Sequence, residues 1–359
     1  MFEPHLSLCM IARNEADNIE RCIRSALTVA EEIIIVDTGS QDDTVERCIA
    51  LGARVIEHPW NDNFAEARNK GIEIASGKWV LWMDADEELD ASAAQLIREV
   101  SMHTEEDILY LQVINYYGES RHHAHPAQAH LAAQARLFRN GKGIYFSGAI
   151  HETLQCAPGG LLPSHPLVLP VRIYHYGYME DRIKEKQKNV RNLKILEKQK
   201  KLHESDPWLE YHLASEYNRQ KRYEEAFQHV NLAIAGFLSH RRLPPSLVYK
   251  LKFEILFNDG SMAGAWPGIE LALQLYPDYV DLHFYKGIFL MKNKFYVEAV
   301  SVFDHCLEIG ENAWKHLTLR GVGSFLALEC LAQCMEGLEK PGAAAVYRNL
   351  SHESRMTAA

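Results

Sequence analysis

No CxxC pair occurs in the 359-residue chain, and its seven cysteines are an odd number scattered from Cys9 to Cys334. Several fall inside apolar patterns, where a free thiol behaves as a small hydrophobe. This argues against a disulfide framework and for a reducing compartment. Cations are in deficit: 38 Lys and Arg against 48 Asp and Glu leave a net charge of −10. Broad attraction to nucleic acid or to an anionic membrane is therefore not expected. No run approaches the ~20 apolar residues a membrane span requires, and "MFEPHLSLCMIARNE" shows no basic leader ahead of an apolar stretch. A cytoplasmic protein with no membrane span and no nucleic-acid partner is the expectation. Glycine is sparse where phosphate-binding loops would need it. "IIIVDTGSQDDT" holds one glycine and no GxGxxG, which counts against a nicotinamide or flavin enzyme. What remains is an ordinary globular composition, 47% hydrophobic and 24% charged, with length for two or three domains.

Strand and helix signals alternate over the first hundred residues. "LSLCMIA", "EIIIVD", "RVIEH" and "KWVLWMD" read as strands; "NEADNIERCIRSAL", "QDDTVERCIALG" and "NFAEARNKGIEIASG" read as the helices between them. A βαβαβαβ order predicts a mainly parallel sheet covered on both faces, with ligands bound beyond the carboxyl ends of its strands. Asn14, Glu15, Asp37, Asp84 and Asp86 all follow strands at that edge. Residues 101–180 are mixed, and a charged helical run over 181–205 reads as a linking helix. From 206 to 359 a repeat appears, as a small-x₃-apolar-x₂-small pattern. It occurs as Ala226/Val230/Ala233, Ala265/Ile269/Ala272 and Ala299/Phe303/Cys306, with the last two copies 34 residues apart. A fourth copy runs through Leu331 and Ala332 to Ala344. Small residues at these spacings let paired helices pack closely and stack into a continuous core.

"GKWVLWMDADEEL" carries the sharpest chemical signal. In an extended chain residues i and i+2 point the same way, so Asp84 and Asp86 can converge on one point. Hard divalent cations take such oxygen ligands together with phosphates. The competing account is a polar turn opening a helix over 87–100, with acids near its positive end. Asp37 has a similar pair of readings: a turn former, with Ser40 capping the next helix, or an acceptor of hydrogen bonds from a base or ribose. Asn14 taken alone reads as a helix cap. "RHHAHPAQAH" reads as an exposed loop rather than a metal tract, and the tyrosines around His175 as core.

"LSLCMIARNEADNIERCIRSAL", "EEIIIVDTGSQDDT" and "ARNKGIEIASGKWVLWMDADEEL" occur in the order and spacing of family-2 glycosyltransferases of the GT-A fold. The resemblance continues more loosely through "RLFRNGKGIYFSGAIHETL" to "HYGY". It is nearest to the bacterial branch that joins this domain to tetratricopeptide repeats and includes peptide S-glycosyltransferases. The expected fold is thus an α/β GT-A, Rossmann-like nucleotide-sugar domain plus an all-α repeat domain. Residues 1–100 would form its nucleotide-sugar half and 101–180 its acceptor half. The resemblance implies that Ala12, Arg13, Asn14 and Glu15 line the nucleotide pocket and that Asp37 meets the uracil or ribose of a UDP-sugar. It implies too that Asp84, Ala85 and Asp86 form the DxD motif that holds ribose and a Mg²⁺ or Mn²⁺. Arg68 approaches the nucleotide or is a surface helix arginine. His175 matches a late histidine that supplies a metal ligand. His151 and Glu152 are the candidates for the base of an inverting transfer, a departure from the acidic motif usual in the family. The repeats would present a peptide or protein acceptor or pair two subunits as a homodimer. The rival readings are a repeat scaffold with a non-catalytic sugar-nucleotide sensor and a nucleotidyltransferase, although "CMIARNEADN" lacks the glycines the latter needs.

Overall fold

The computed structural model describes residues 4–120, 124–157, 166–179, 188–202 and 206–357. They divide into two units, one of residues 1–116 with 133–182 and one of 117–132 with 183–359.

In the first unit the alternating elements are β1 (Leu6–Ala12), α1 (Ala16–Ala26), β2 (Glu32–Asp37), α2 (Thr44–Ala50), β3 (Arg54–Glu57), α3 (Phe64–Ile74) and β4 (Trp79–Trp82). After them come β5 (Glu87–Leu89), α4 (Ala93–His103), β6 (Ile108–Gly118) and β7 (Ala129–Arg139), each of these two strands with one end in the second unit, then β8 (Ile144–Ser147), β9 (Thr153–Cys156) and β10 (Leu167–Met179). The main sheet runs β3-β2-β1-β4-β7-β6-β10-β5, and β8 and β9 make a separate hairpin. β3, β2, β1 and β4 are parallel, whereas β7 joins β4, and β5 joins β10, antiparallel. Side chains of a strand alternate between faces, and these strands are apolar at both parities. Leu8, Met10, Ile33 and Ile35 enter one core with Ile19, Cys22 and Ile23 of α1 and Ile97 of α4. Cys9, Ile34 and Val80 enter the other with Ala65 of α3 and Phe138 of β7. Gly77, ahead of β4, is required by proximity: a Cβ there would lie 2.6 Å from Ser7 Oγ and 2.7 Å from Ser7 N.

Three local expectations are corrected. The acids after Asp86 do not open a helix over 87–100; Glu87–Leu89 pairs with Ile173–His175 as a strand, and helix α4 begins at Ala93. Asn14 does not cap α1, because its φ of 53° and its bonds to the next loop hold it outside the helix, whose N-cap is Glu15. Nor does Ser40 cap α2, whose N-cap is Asp43, because its hydroxyl is taken by Asp37.

The second unit contains α5 (Lys188–Leu202) and then four helix pairs. These are α6 (Pro207–Arg219) with α7 (Tyr223–Ser239), α8 (Ser246–Asn258) with α9 (Gly268–Leu275), α10 (Val280–Lys292) with α11 (Tyr296–Ile309), and α12 (Phe325–Gly337) with α13 (Pro341–Thr357). All nine positions of the three repeat patterns are fully buried, as are Leu331, Ala332 and Ala344. Pro207 opens α6, where its missing N–H costs nothing, and the Asp206 carboxylate accepts from Trp208 N at 2.9 Å. Residues 117–132 belong to this unit: His130 and Leu131 pair with β11 (Thr318–Leu319), and Arg320 donates to the Ala129 and Pro126 carbonyls. The histidine-rich stretch is therefore not simply an exposed loop, since His130 lies in a strand; His122 and His123 lie outside the described residues. No helix among the described residues is long and apolar enough to cross a membrane.

Candidate active site

The parallel strands β1, β2 and β4 deliver their carboxyl ends side by side, with Ala12 in register with Asp37 and Cys9 with Trp82. Two groups of expected site residues gather there.

The acidic turn after β4 is the first. Glu87 N donates to the Asp84 carbonyl at 3.0 Å, and Glu87 Oε2 accepts from Asp84 N at 2.9 Å, so the turn is closed at both ends. Glu87 is buried completely and accepts from the two terminal guanidinium nitrogens of buried Arg136, at 2.9 and 2.6 Å. Arg136 in turn lies over the Trp82 ring at 3.7 Å. This paired charge fixes the backbone from which Asp84 and Asp86 project. The register of β10 against β5 then places His175 opposite Glu87, with His175 Nε2 at 3.4 Å from Asp86 Oδ1. His175 Nδ1 meets the Asn115 side-chain oxygen at 2.8 Å. Burial alone would depress the imidazole pKa, but Asp86, Glu87 and Asp84 outweigh it and raise it.

Arg68 connects this turn to the hairpin loop between β8 and β9. Asn63 caps α3 by accepting from Glu66 N at 3.1 Å, and the helix buries Arg68 on its inner face. The guanidinium donates to Asp84 Oδ1 at 2.7 Å and Glu152 Oε1 at 2.5 Å, and stacks over Trp82 at 4.5 Å. The surface-arginine reading of Arg68 is thus incorrect. Burial opposes ionisation of Asp84, yet Arg68 and Arg136 hold its carboxyl below the ordinary aspartate range. Asn69, the next residue, exchanges two hydrogen bonds with the Phe146 backbone, and Phe64 N donates to the Ala149 carbonyl. The loop carrying His151 (φ 52°) and Glu152 is therefore tied to α3 at several points.

The second group, Ala12 to Glu15 with Asp37, is knit into its own loops. Asp37 accepts from Gly39 N, Ser40 N and Ser40 Oγ, which is the turn-forming role. Asn14 Oδ1 accepts from Gln41 N at 2.8 Å, and Glu15 N donates to Thr44 Oγ1 at 2.8 Å. Ala12, Glu15 and Ala85 are buried; Arg13 and Asn14 are exposed.

Asp84, Glu87 and His175 each bring a potential ligand atom within 4.8 Å of the others. Glu87 spends its oxygens on Arg136 and Asp84 N, while Asp86, which is not in that group, brings Oδ1 to 3.4 Å from His175 Nε2, so a cation beside His175 could draw on Asp84 and Asp86. Gly177 supports that fit, because a Cβ there would collide with His175 Nε2 and come within 2.6 Å of Asp86 Oδ2. Sequence reasoning does not single out Glu87, Arg136 or Asn115. The only hint is polar residues inside otherwise apolar strands, Asn115 in "QVINYY" and Arg136 in "QARLF".

Residues 7–159 match the family model for Glycosyl transferase family 2. The chain is 34% identical over 212 residues to a TPR repeat-containing protein of Synechococcus elongatus, covering 57% of this chain and 50% of that protein. It is 27% identical over 308 residues to the SPbeta prophage-derived glycosyltransferase SunS of Bacillus subtilis, covering 81% of this chain and 68% of that protein. The chain thus spans half the length of the first of these relatives. The crystal structure of glucosyl-3-phosphoglycerate synthase from Mycobacterium tuberculosis with Mn²⁺, UDP and glucosyl-3-phosphoglycerate aligns at 28% identity, covering 32% of this chain and 44% of that one with a TM-score of 0.26. The chain carries a family-2 glycosyltransferase domain at its N-terminus, joined to tetratricopeptide-like helical repeats.

Proposed function

We propose that this domain transfers a sugar from a nucleoside-diphosphate sugar, with uridine as the nucleoside, to a peptide or protein acceptor, with inversion at the anomeric carbon. The observation that carries the reading is that His175 meets Asp86 at 3.4 Å and has a ligand atom of Asp84 within 4.8 Å, at the end of a central strand, while Arg68 bridges Asp84 to Glu152. Asp84, Asp86 and His175 are the residues proposed to hold a Mg²⁺ or Mn²⁺. The mixed carboxylate–imidazole set favours Mn²⁺, because imidazole is a poor ligand for Mg²⁺. Bound there, the cation supplies charge neutralisation for a leaving diphosphate.

The chain's own groups supply the rest. Arg68 is a buried cation shared by two carboxylates, and a diphosphate competes with them for it. Glu152, once released from Arg68, is positioned as the general base: the acceptor X–H gives its proton to the carboxylate as X attacks the anomeric carbon. The bond from that carbon to the diphosphate oxygen breaks, and the diphosphate leaves with the electron pair. His151, next in the same loop, is the second candidate for this proton. Residues 12–15, Asp37 and Ala85 are proposed to shape the nucleotide pocket, Asp37 through the turn it holds. On this reading 1–100 is the nucleotide-sugar half, 101–180 the acceptor half, and the repeats of 206–359 a surface for the acceptor polypeptide, as stacked helix pairs elsewhere provide. The test is UDP release from a panel of UDP-sugars, with and without Mn²⁺, in the wild type and Asp86→Ala. Metal-dependent release lost in the variant is the expected result. Release unaffected by both metal and substitution refutes the metal site, and no release from any UDP-sugar refutes the donor.

A further inference from the structure

Asn115 is 5% exposed in the middle of β6, a strand that otherwise buries apolar residues. A buried amide in a strand interior forgoes apolar contact and must find partners, so its presence calls for a reason. Its side-chain oxygen lies 2.8 Å from Nδ1 of His175 on neighbouring β10. The other ring nitrogen, Nε2, faces Asp86 at 3.4 Å across the gap left by Gly177, and Tyr178 packs edge-on to the ring at 5.0 Å. The imidazole is therefore gripped at one nitrogen and open to the acidic turn at the other.

An amide oxygen can only accept a hydrogen bond, so the nitrogen it meets must carry the proton. In a neutral imidazole that leaves the lone pair on Nε2, the atom directed at the carboxylates. We infer that Asn115 is a positioning residue that holds His175 in the Nδ1–H tautomer and aims Nε2 at the cation; this rests on His175 being a metal ligand, as proposed above. Metal-binding histidines commonly donate their second N–H to a carboxylate or carbonyl that sets tautomer and ring orientation. The choice of a neutral amide here has its own logic. Asp84, Asp86 and Glu87 already crowd the turn, and Asn115 orients the ring without adding a fourth negative charge.

The test uses the full chain with Mn²⁺ alone as probe, titrated by electron paramagnetic resonance of the free ion. The wild type is compared with Asn115→Leu, Asn115→Asp and His175→Ala. In parallel, ¹⁵N-labelled ring nitrogens of the metal-free protein report the tautomer at a pH where the ring is neutral, with the His175 signals assigned by their loss in His175→Ala. The wild type is expected in the Nδ1–H form. Asn115→Leu should populate the Nε2–H form and weaken Mn²⁺ binding about 10- to 100-fold. Asn115→Asp, which keeps the acceptor and adds a negative charge, should retain the wild-type tautomer and bind Mn²⁺ no more weakly than the wild type, a rescue that simple loss of packing does not predict. A wild type in the Nε2–H form overturns the inference by itself, whether or not the leucine variant folds. So does an unchanged Mn²⁺ affinity in folded Asn115→Leu when His175→Ala has lost it. If His175→Ala binds Mn²⁺ as the wild type does, the metal-ligand reading of His175 fails first and the role of Asn115 falls with it.

Discussion

The buried Glu87–Arg136 pair makes a quantitative prediction about what holds the acidic turn. Glu87 is fully buried and Arg136 nearly so, and their two short parallel hydrogen bonds leave neither charge to water. Removing one partner strands the other. Arg136→Leu should cost about 3–5 kcal/mol, the usual penalty for an uncompensated buried charge, and lose the cation over Trp82 as well. Glu87→Leu should cost about as much, because it isolates the guanidinium and leaves Asp84 N without its 2.9 Å partner. The double variant removes both charges at once. What then loses a partner is the Asp84 N–H, at about 1–3 kcal/mol, and the long 3.5 Å contact of the Trp82 carbonyl, so the double variant should be more stable than either single one. For a unit of this size each kcal/mol moves the melting temperature by roughly 2–4 °C, so each single variant should melt roughly 6–20 °C lower.

Calorimetry and urea unfolding of the four proteins close the cycle. A second readout separates stability from function. The refolded double variant has lost the carboxylate that closes the turn on Asp84, so its Mn²⁺ affinity should remain well below wild type despite recovered stability. Additive losses, with the double variant as unstable as the sum of the singles, refute the account of the pair as mutually compensating charges. A stable double variant with wild-type Mn²⁺ affinity refutes the claim that Glu87 positions the turn.

Three further substitutions probe the site and the repeat unit. Gly177→Ala places a methyl group against His175 Nε2 and Asp86 Oδ2; because Asn115 and Tyr178 hold the ring, the overpacking should cost about 1–3 kcal/mol, and Mn²⁺ binding by the folded variant in a direct titration should fall at least about tenfold; unchanged binding refutes the cation position. In the repeat unit, burial pushes Asp281 from 3.8 up to about 7 despite Lys250 at 3.8 Å, whereas burial, helped by Lys250, lowers His130 from 6.5 to about 3. The raised acid stabilises the fold below pH 4 and loses that contribution as pH rises to 7; the depressed base stabilises above pH 6.5 and loses it as pH falls toward 3. The slopes oppose each other between, so Asp281→Asn should gain stability with rising pH and His130→Gln should lose it, by up to about 4 kcal/mol each across the window. Denaturant midpoints measured from pH 4 to 7 check this, and profiles parallel to wild type in both variants refute it.

How much of this was legible beforehand follows from what each feature depends on. The parallel strands were readable because β1 and β2 are buried on both faces, which writes an unbroken apolar run into the chain, as in "EIIIVD". The repeats were readable for the same kind of reason: Ala226, Ala265 and Ala299 recur where helices pack closest, and that packing repeats at a fixed period. The short strand β5 was not. Its three residues include two acids, and acids after an apolar strand suit a helix start; what makes it a strand is pairing with Ile173–His175 of β10, more than eighty residues later. The turn at Asp37 could be read two ways, because the same carboxylate that suits a ribose also suits Gly39 N and Ser40 N, and local bonds took it.

The supporting residues form a different class. Arg136 meets Glu87 across 49 positions of sequence and Asn115 meets His175 across 60. Each pairing depends on strand order and register, a property of the sheet that no local pattern records. The acids and the histidine that face a ligand leave a motif because they cluster at strand ends, where the fold brings ligands. The groups that hold them in place sit inside strands and leave only an isolated polar letter in an apolar run. For that reason a polar residue buried in a strand that flanks a motif is the better guide to a site's supports than the motif itself. In this chain both such letters on β6 and β7, Asn115 and Arg136, lead to the same acidic turn.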